Sequence, residues 1–208
     1  MKTMKTTIPE QRTWNVQFET REGTEGKEIA GYFSVFHSNY EMWPGCTESV
    51  APGAFRETLQ GGDVRALINH DSTLVLGRTK NRTLELVEDE RGLFGRIRIN
   101  ENDVDAMNLY HRVSRGDVDQ CSFGFDILEE DTEEREGSVH FTLRKVRLYE
   151  VSVVTFPAYE ATAVQARQAK FEAFSKERQV KQAETERREM ENYRQETLRY
   201  LRGEHYGH

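Results

Sequence analysis

Gln120-Cys121-Ser122-Phe123-Gly124-Phe125-Asp126-Ile127 alternates apolar and polar side chains, the period of a half-buried strand. On a strand, Cys121, Phe123, Phe125 and Ile127 share one face, and Ser122, Gly124 and Asp126 share the other. Residues 14–19 show the same alternation. Short apolar runs follow at 29–36, 65–70, 73–76, 84–87, 93–99 and 139–156. Residues 88–92 (EDERG) read as a hairpin turn. Seven or eight strands with close turn signals predict a mainly β (α+β) domain, a sandwich or a closed β-barrel of about seven strands. Two helices interrupt the series. Residues 54–59 form a short one that stops at Gly61-Gly62. Residues 103–115 form a clearer one, capped by Asn102 or Asp103, with Gly116 past its end. Residues 37–49 have no period and contain Pro44-Gly45, which predicts a mobile loop.

Charge divides the chain. Residues 161–208 hold ten Lys+Arg and eight Asp+Glu, net +2. Subtracting these from the totals of 29 and 36 leaves 19 and 28 in residues 1–160, net −9. Residues 161–202 contain neither Pro nor Gly and are rich in good helix formers. The predicted organisation is therefore a β domain over 1–160 and a charged helical tail over 161–208. In the tail, Met190, Tyr193, Thr197 and Leu201 make a weak stripe, and Phe171 with Phe174 a separate patch, too little for a core-packed helix. Such a tail reads either as a solvated helix or as a partner-binding segment. No run of about 18 apolar residues exists to span a bilayer. Residues 1–14 lack the apolar stretch of a signal peptide, so the cytosol is the expected compartment. Two cysteines cannot build a disulfide framework or a four-cysteine zinc site. A net charge of −7 and the absence of a basic stripe argue against nucleic-acid binding.

Three residue types point to acyl-transfer chemistry. Ser122 beside Gly124 would have open space above it, as a nucleophile needs; otherwise it is a serine on a solvated sheet face. His70 ends the apolar run 66–68, and a histidine titrates near neutrality, as a general base should. The alternative is a surface or capping histidine. Glu150 lies inside the apolar strand RLYEVSVVTF (147–156), where a carboxylate is expensive unless paired. A histidine N–H would pair it, and so would Arg144 or Arg147. Together they make a candidate Ser–His–acid constellation, a combination that recurs in several chain orders. There is no G-x-S-x-G elbow, which argues against an α/β-hydrolase. Cys121 adjoins Ser122, but it shares the core face with Phe123 and Phe125, where thiols are usually inert.

At this point the sequence resembles the prohead maturation proteases of tailed phages, serine peptidases related in fold to the herpesvirus assembly proteases. The resemblance rests on residues 31–36 (GYFSVF), 50–55 (VAPGAF), 69–71 (NHD), 76–79 (LGRT), 121–125 (CSFGF) and 148–159 (LYEVSVVTFPAY). It covers about residues 29–164, in the family's order. It implies a closed β-barrel flanked by helices, herpesvirus-protease-like, with a C-terminal helical extension. It places the nucleophile on Ser122, the histidine on His70 and the acid on Glu150, where the herpesvirus relatives carry a second histidine. It implies no metal and no cofactor. The expected substrate is the scaffold protein, or the scaffold-like N-terminal part of the major capsid protein, and also the protease itself. The expected place is the assembling procapsid in the host cytoplasm, for a viral or prophage-encoded chain. The tail would carry the protease into the shell or be self-cleaved. Homodimerisation is expected because the herpesvirus relatives are active as dimers; no membrane or nucleic-acid partner is implied. The alternative function is a catalytically silent barrel serving as a capsid-assembly module.

Overall fold

The computed structural model describes residues 10–15, 18–23, 26–135, 138–156 and 161–202. The chain divides into two compact units, Met1–Glu160 and Ala161–His208. The first unit carries eleven described strands. They are β1 (Glu10–Asn15), β2 (Glu19–Gly23), β3 (Gly26–Val35), β4 (Tyr40–Trp43), β5 (Cys46–Val50) and β6 (Arg65–Ile68). The series continues with β7 (Asp71–Arg78), β8 (Leu84–Glu88), β9 (Gly92–Arg98), β10 (Gln120–Arg135) and β11 (Ser138–Val154). Helix α1 is Arg56–Leu59 and helix α2 is Val104–Ser114.

The strands form two sheets rather than the closed barrel expected from sequence. A seven-stranded sheet runs β1-β10-β11-β5-β4, with β6 pairing β11 and β7 pairing β6. A four-stranded sheet runs β2-β3-β9-β8. Among the described residues no ladder joins one to the other; side chains do. Phe33, Leu93 and Ile97 from the small sheet and Phe123, Phe125, Val151 and Val153 from the large one belong to a single buried cluster. The Phe55 ring meets Phe123 edge-on at 5.4 Å, and Phe123 meets Phe125 at 4.8 Å.

The large sheet is strongly curled. Arg12 of β1 lies in register with Phe123, which pairs with Val151 of β11. Glu48 of β5 pairs with Phe141 of β11. Positions 141 and 151 would be about 33 Å apart on a straight strand. Yet Arg12 Nε donates to Glu48 Oε1 at 2.5 Å, with both side chains buried. The Arg12 guanidinium also stacks on Phe125, 5.4 Å from the ring centre. Bulges let the hairpin bend this way: the register shifts between Gly124 and Phe125 and twice between Ile127 and Glu130. Burial would lower the Arg12 pKa, but the Glu48 and Glu10 carboxylates override it and hold the guanidinium above its ordinary value.

β4 and β5 correct the predicted loop over 37–49. They are a hairpin, broken by the Pro44-Gly45 turn, with Gly45 at positive φ. The period was invisible because Glu48 and Ser49 are buried alongside Cys46 and Val50. The single strand expected over 14–19 is two, β1 and β2, and Val16 and Gln17 lie outside the described residues. Helix α2 follows the sequence reading. Asp103 caps it by accepting from Asp105 N and Ala106 N; Ala106, Leu109, Tyr110 and Val113 face the core. Between its pairings with β5 and β6, β11 has no neighbouring strand on that side among the described residues. There α1 substitutes: Thr58 Oγ1 donates to Val146 O and accepts from Leu148 N, both at 3.1 Å.

Among the described residues the second unit is one helix, α3 (Ala161–Leu201). Met190, Tyr193 and Leu201 of the expected stripe are exposed; the Phe174 side chain lies outside the described residues. No helix among the described residues is long and apolar enough to cross a membrane.

Candidate active site

The site is built where β6, β10 and β11 lie side by side. β10 and β11 are antiparallel with Ser122 opposite Ser152 and Gly124 opposite Glu150. β6 runs parallel to β11 with Leu67 beside Ser152. Residues opposite one another share a face, so Ser122, Gly124, Glu150 and Ser152 lie on one side of the sheet. A bulge follows immediately. Phe125 pairs with Leu148 rather than Tyr149, leaving Tyr149 as the extra residue. Strict alternation would put Leu148 and Glu150 on the same face. The bulge turns Leu148 into the core and leaves Glu150 with the serines.

His70 comes from the two-residue turn joining β6 to β7. Ile68 pairs with Asp71, and Asn69 and His70 both have positive φ, 49° and 60°. Such a turn favours Asn at its first position and Gly at its second. A histidine in the glycine place costs about 1 kcal/mol or more. Asn69 anchors the turn: its N–H donates to Val153 O at 3.0 Å, and its Oδ1 accepts from Thr155 N at 2.9 Å.

The structure brings two of the three candidates into contact. His70 Nδ1 lies 2.7 Å from Glu150 Oε1, each side chain 13% exposed. Neither Arg144 nor Arg147 takes Glu150; they lie against Asp131 and Asp126. An ionised carboxylate can only accept, so Nδ1 carries the hydrogen. In the neutral ring Nε2 is then an acceptor, and it is buried without a partner. Ser122 Oγ is likewise buried without a partner, as is Gln120 Oε1 two residues earlier on the same strand face. Ser122 and His70 are not hydrogen-bonded to each other. Buried polar atoms are nearly always satisfied, so each of these orphans calls for an explanation.

Two expectations change. Ser122 is fully buried rather than under open space. The room beside Gly124 is taken by Glu150: a Cβ at Gly124 would overlap the carboxylate. Gly124 is thus needed to admit the acid. Ser152 was missed. It donates to Glu150 Oε2 at 2.6 Å and accepts from His70 N at 3.2 Å. Its signal was its place two residues after Glu150, which puts the two on one strand face. Cys121 is fully buried, its thiol 3.4 Å from the Tyr32 and Phe33 carbonyl oxygens. Among the described residues no group of three or more His, Cys, Asp or Glu could hold a metal ion.

The chain matches the profile of the caudovirus prohead serine proteases over residues 15–177. It belongs to that family. It is 30% identical over 151 residues to the prohead protease of Enterobacteria phage HK97. The match covers 71% of this chain and 62% of that relative, so the chain spans less than two thirds of its length. No solved structure matches. The matched region contains β2 to β11, and with them His70, Ser122, Glu150 and Ser152.

Proposed function

We propose that the chain is a serine endopeptidase of prohead maturation, with Ser122 as nucleophile, His70 as general base and Glu150 as the acid that orients it. The observation that carries the reading is the His70 Nδ1–Glu150 Oε1 bond, which leaves Nε2 as a buried acceptor on the sheet face that also bears an unpaired Ser122 hydroxyl. Ser122 Oγ attacks the scissile carbonyl while Nε2 takes its proton. Glu150 offsets the imidazolium charge. Nε2 then protonates the leaving amine, and water hydrolyses the acyl-enzyme by the same path reversed. Because Ser122 is fully buried, the substrate must displace what covers it, which suits an enzyme that waits for an assembled shell.

The substrates in this reading are the scaffold protein or the scaffold-like N-terminal part of the major capsid protein, and the protease itself. The setting is the procapsid in the host cytoplasm. Residues 161–208 serve as the targeting or self-cleaved segment, and the curled sheets stand for the barrel of the herpesvirus assembly proteases. Dimerisation belongs to the same proposal. The test is co-expression of wild type and of Ser122→Ala with the capsid protein encoded beside it, followed by intact mass measurement. Trimming of capsid protein or protease in wild type only supports the reading. Trimming in both disproves Ser122 as nucleophile. Identical masses in both, repeated in purified proheads, favour a silent assembly module.

A further inference from the structure

We infer that Ser152 is a positioning residue that locks His70 and Glu150 into their working geometry, an inference that rests on the roles proposed above. A serine hydroxyl has one hydrogen and two acceptor sites. Ser152 spends the hydrogen on Glu150 Oε2 at 2.6 Å and an acceptor site on the His70 backbone N–H at 3.2 Å. It thereby touches both halves of the pair at points away from the pair's own bond. Three features give this weight. Ser152 is fully buried, so neither bond competes with water. His70 sits at a positive φ, which costs a non-glycine residue energy, and its N–H bond to Ser152 ties that turn down. Glu150 has a flexible side chain, and fixing Oε2 leaves Oε1 to face the imidazole.

The consequence is chemical as well as mechanical. Holding Oε1 against Nδ1 keeps the ring hydrogen there and leaves Nε2 bare. With Ser152 gone, the carboxylate could rotate and the turn could relax, and the ring would lose both its tautomer and its place. Ser152 is not itself a second nucleophile. Its proton is committed to Glu150, and it meets the backbone of His70 rather than either ring nitrogen. Its cross-strand partner is Ser122, so a side chain that orders the base stands directly opposite the nucleophile.

The experiment uses the full chain as wild type, Ser152→Ala, Ser152→Thr and Ser122→Ala. One readout is the rate of phosphonylation by a fluorophosphonate probe, in which the Ser122 oxygen bonds to phosphorus and fluoride leaves. The other is the proton resonance of the His70 Nδ1–H in protein labelled with 15N-histidine, which needs no turnover. Ser152→Ala should slow labelling by roughly 10- to 100-fold, as a displaced catalytic group does. It should also shift or broaden the Nδ1–H resonance. Ser152→Thr, which keeps the hydroxyl, should recover both. Thermal unfolding checks that the variants are folded. If the Ala variant is not, Ser152→Cys keeps the shape with weaker bonds and carries the same reading. A folded Ser152→Ala with unchanged Nδ1–H resonance and labelling rate overturns the inference. Labelling of Ser122→Ala at the wild-type rate overturns the nucleophile instead, while the resonance still judges Ser152.

Discussion

Two histidines sit among hydroxyls at opposite ends of β11, His140 on the strand itself and His70 on the β6–β7 turn packed against it, and they differ in one respect. At one end His140 has both ring nitrogens taken: Nδ1 lies 2.8 Å from Thr47 Oγ1 and Nε2 lies 2.8 Å from Ser49 Oγ. At the other end His70 has one nitrogen on Glu150 and the second unpartnered. The first ring pins β11 to β5 and has no lone pair to spare. The second ring is held by an acid and keeps an acceptor in reserve. A serine near a histidine is therefore not enough to mark a base. What distinguishes the two is the carboxylate that fixes the tautomer and the nitrogen left over.

Substitutions can break this contrast. The largest effect should come from Ser122→Ala and from His70→Gln, each lowering cleavage on the order of 10⁴-fold or more. His140→Gln should leave the rate within about twofold while costing about 1–2 kcal/mol of stability through lost hydrogen bonds. Kinetics and urea unfolding on the same preparations check both halves. If His140→Gln abolishes cleavage and His70→Gln does not, the two ends have been assigned the wrong way round. Glu150→Gln should come next, at about 10⁴-fold in kcat, because an amide can donate as well as accept and the tautomer is no longer fixed. Gly124→Ala should cost about 10²-fold by pushing the Glu150 carboxylate aside. Its rate measured beside that of Ser152→Ala would show whether displacing the acid or untying it does more harm.

The smallest effect concerns the open end of the hairpin that carries His70. Arg78 Nε donates to Asp63 Oδ1 at 2.6 Å, and this hydrogen bond holds the Asp63 carboxyl below its usual range. A depressed folded-state value means the contribution is present above the unfolded value near 4 and is lost as pH falls below it. Asp63→Asn should therefore lower stability slightly at pH 6 and by less near pH 2. Equal differences at both would show that charge is not the cause. Cleavage should be unaffected.

Much of this was legible in the sequence. The alternation at 120–127 gave the strand and its two faces, and the cap and glycine around 103–116 gave α2. The pairing of Glu150 was legible as a need, since an acid in an apolar strand requires a partner. Other features were hidden for definite reasons. The bulge at Tyr149 shifts the strand's phase, so simple alternation puts Leu148 and Glu150 on the same side. The buried Arg12–Glu48 pair disguised β5 as loop, because a charged residue inside a strand breaks the pattern that reveals it. The curl of the large sheet comes from bulges on the β10–β11 hairpin, and no local signal announces them. Ser152 was overlooked because a serine in a valine-rich run reads as packing.

β11 is the last of the described strands, yet β5, β6 and β10 all pair with it, and β1 reaches the sheet through β10. During synthesis, at about 5–20 residues per second, the preceding strands emerge with their shared neighbour still missing. Pairings this distant in sequence are also slow to form. Glu150 and Ser152 ride on that final strand, so a ribosome-bound fragment ending before it has a histidine and a serine but nothing to organise them. The topology thus works as a timer: the proposed site cannot assemble until translation has passed β11.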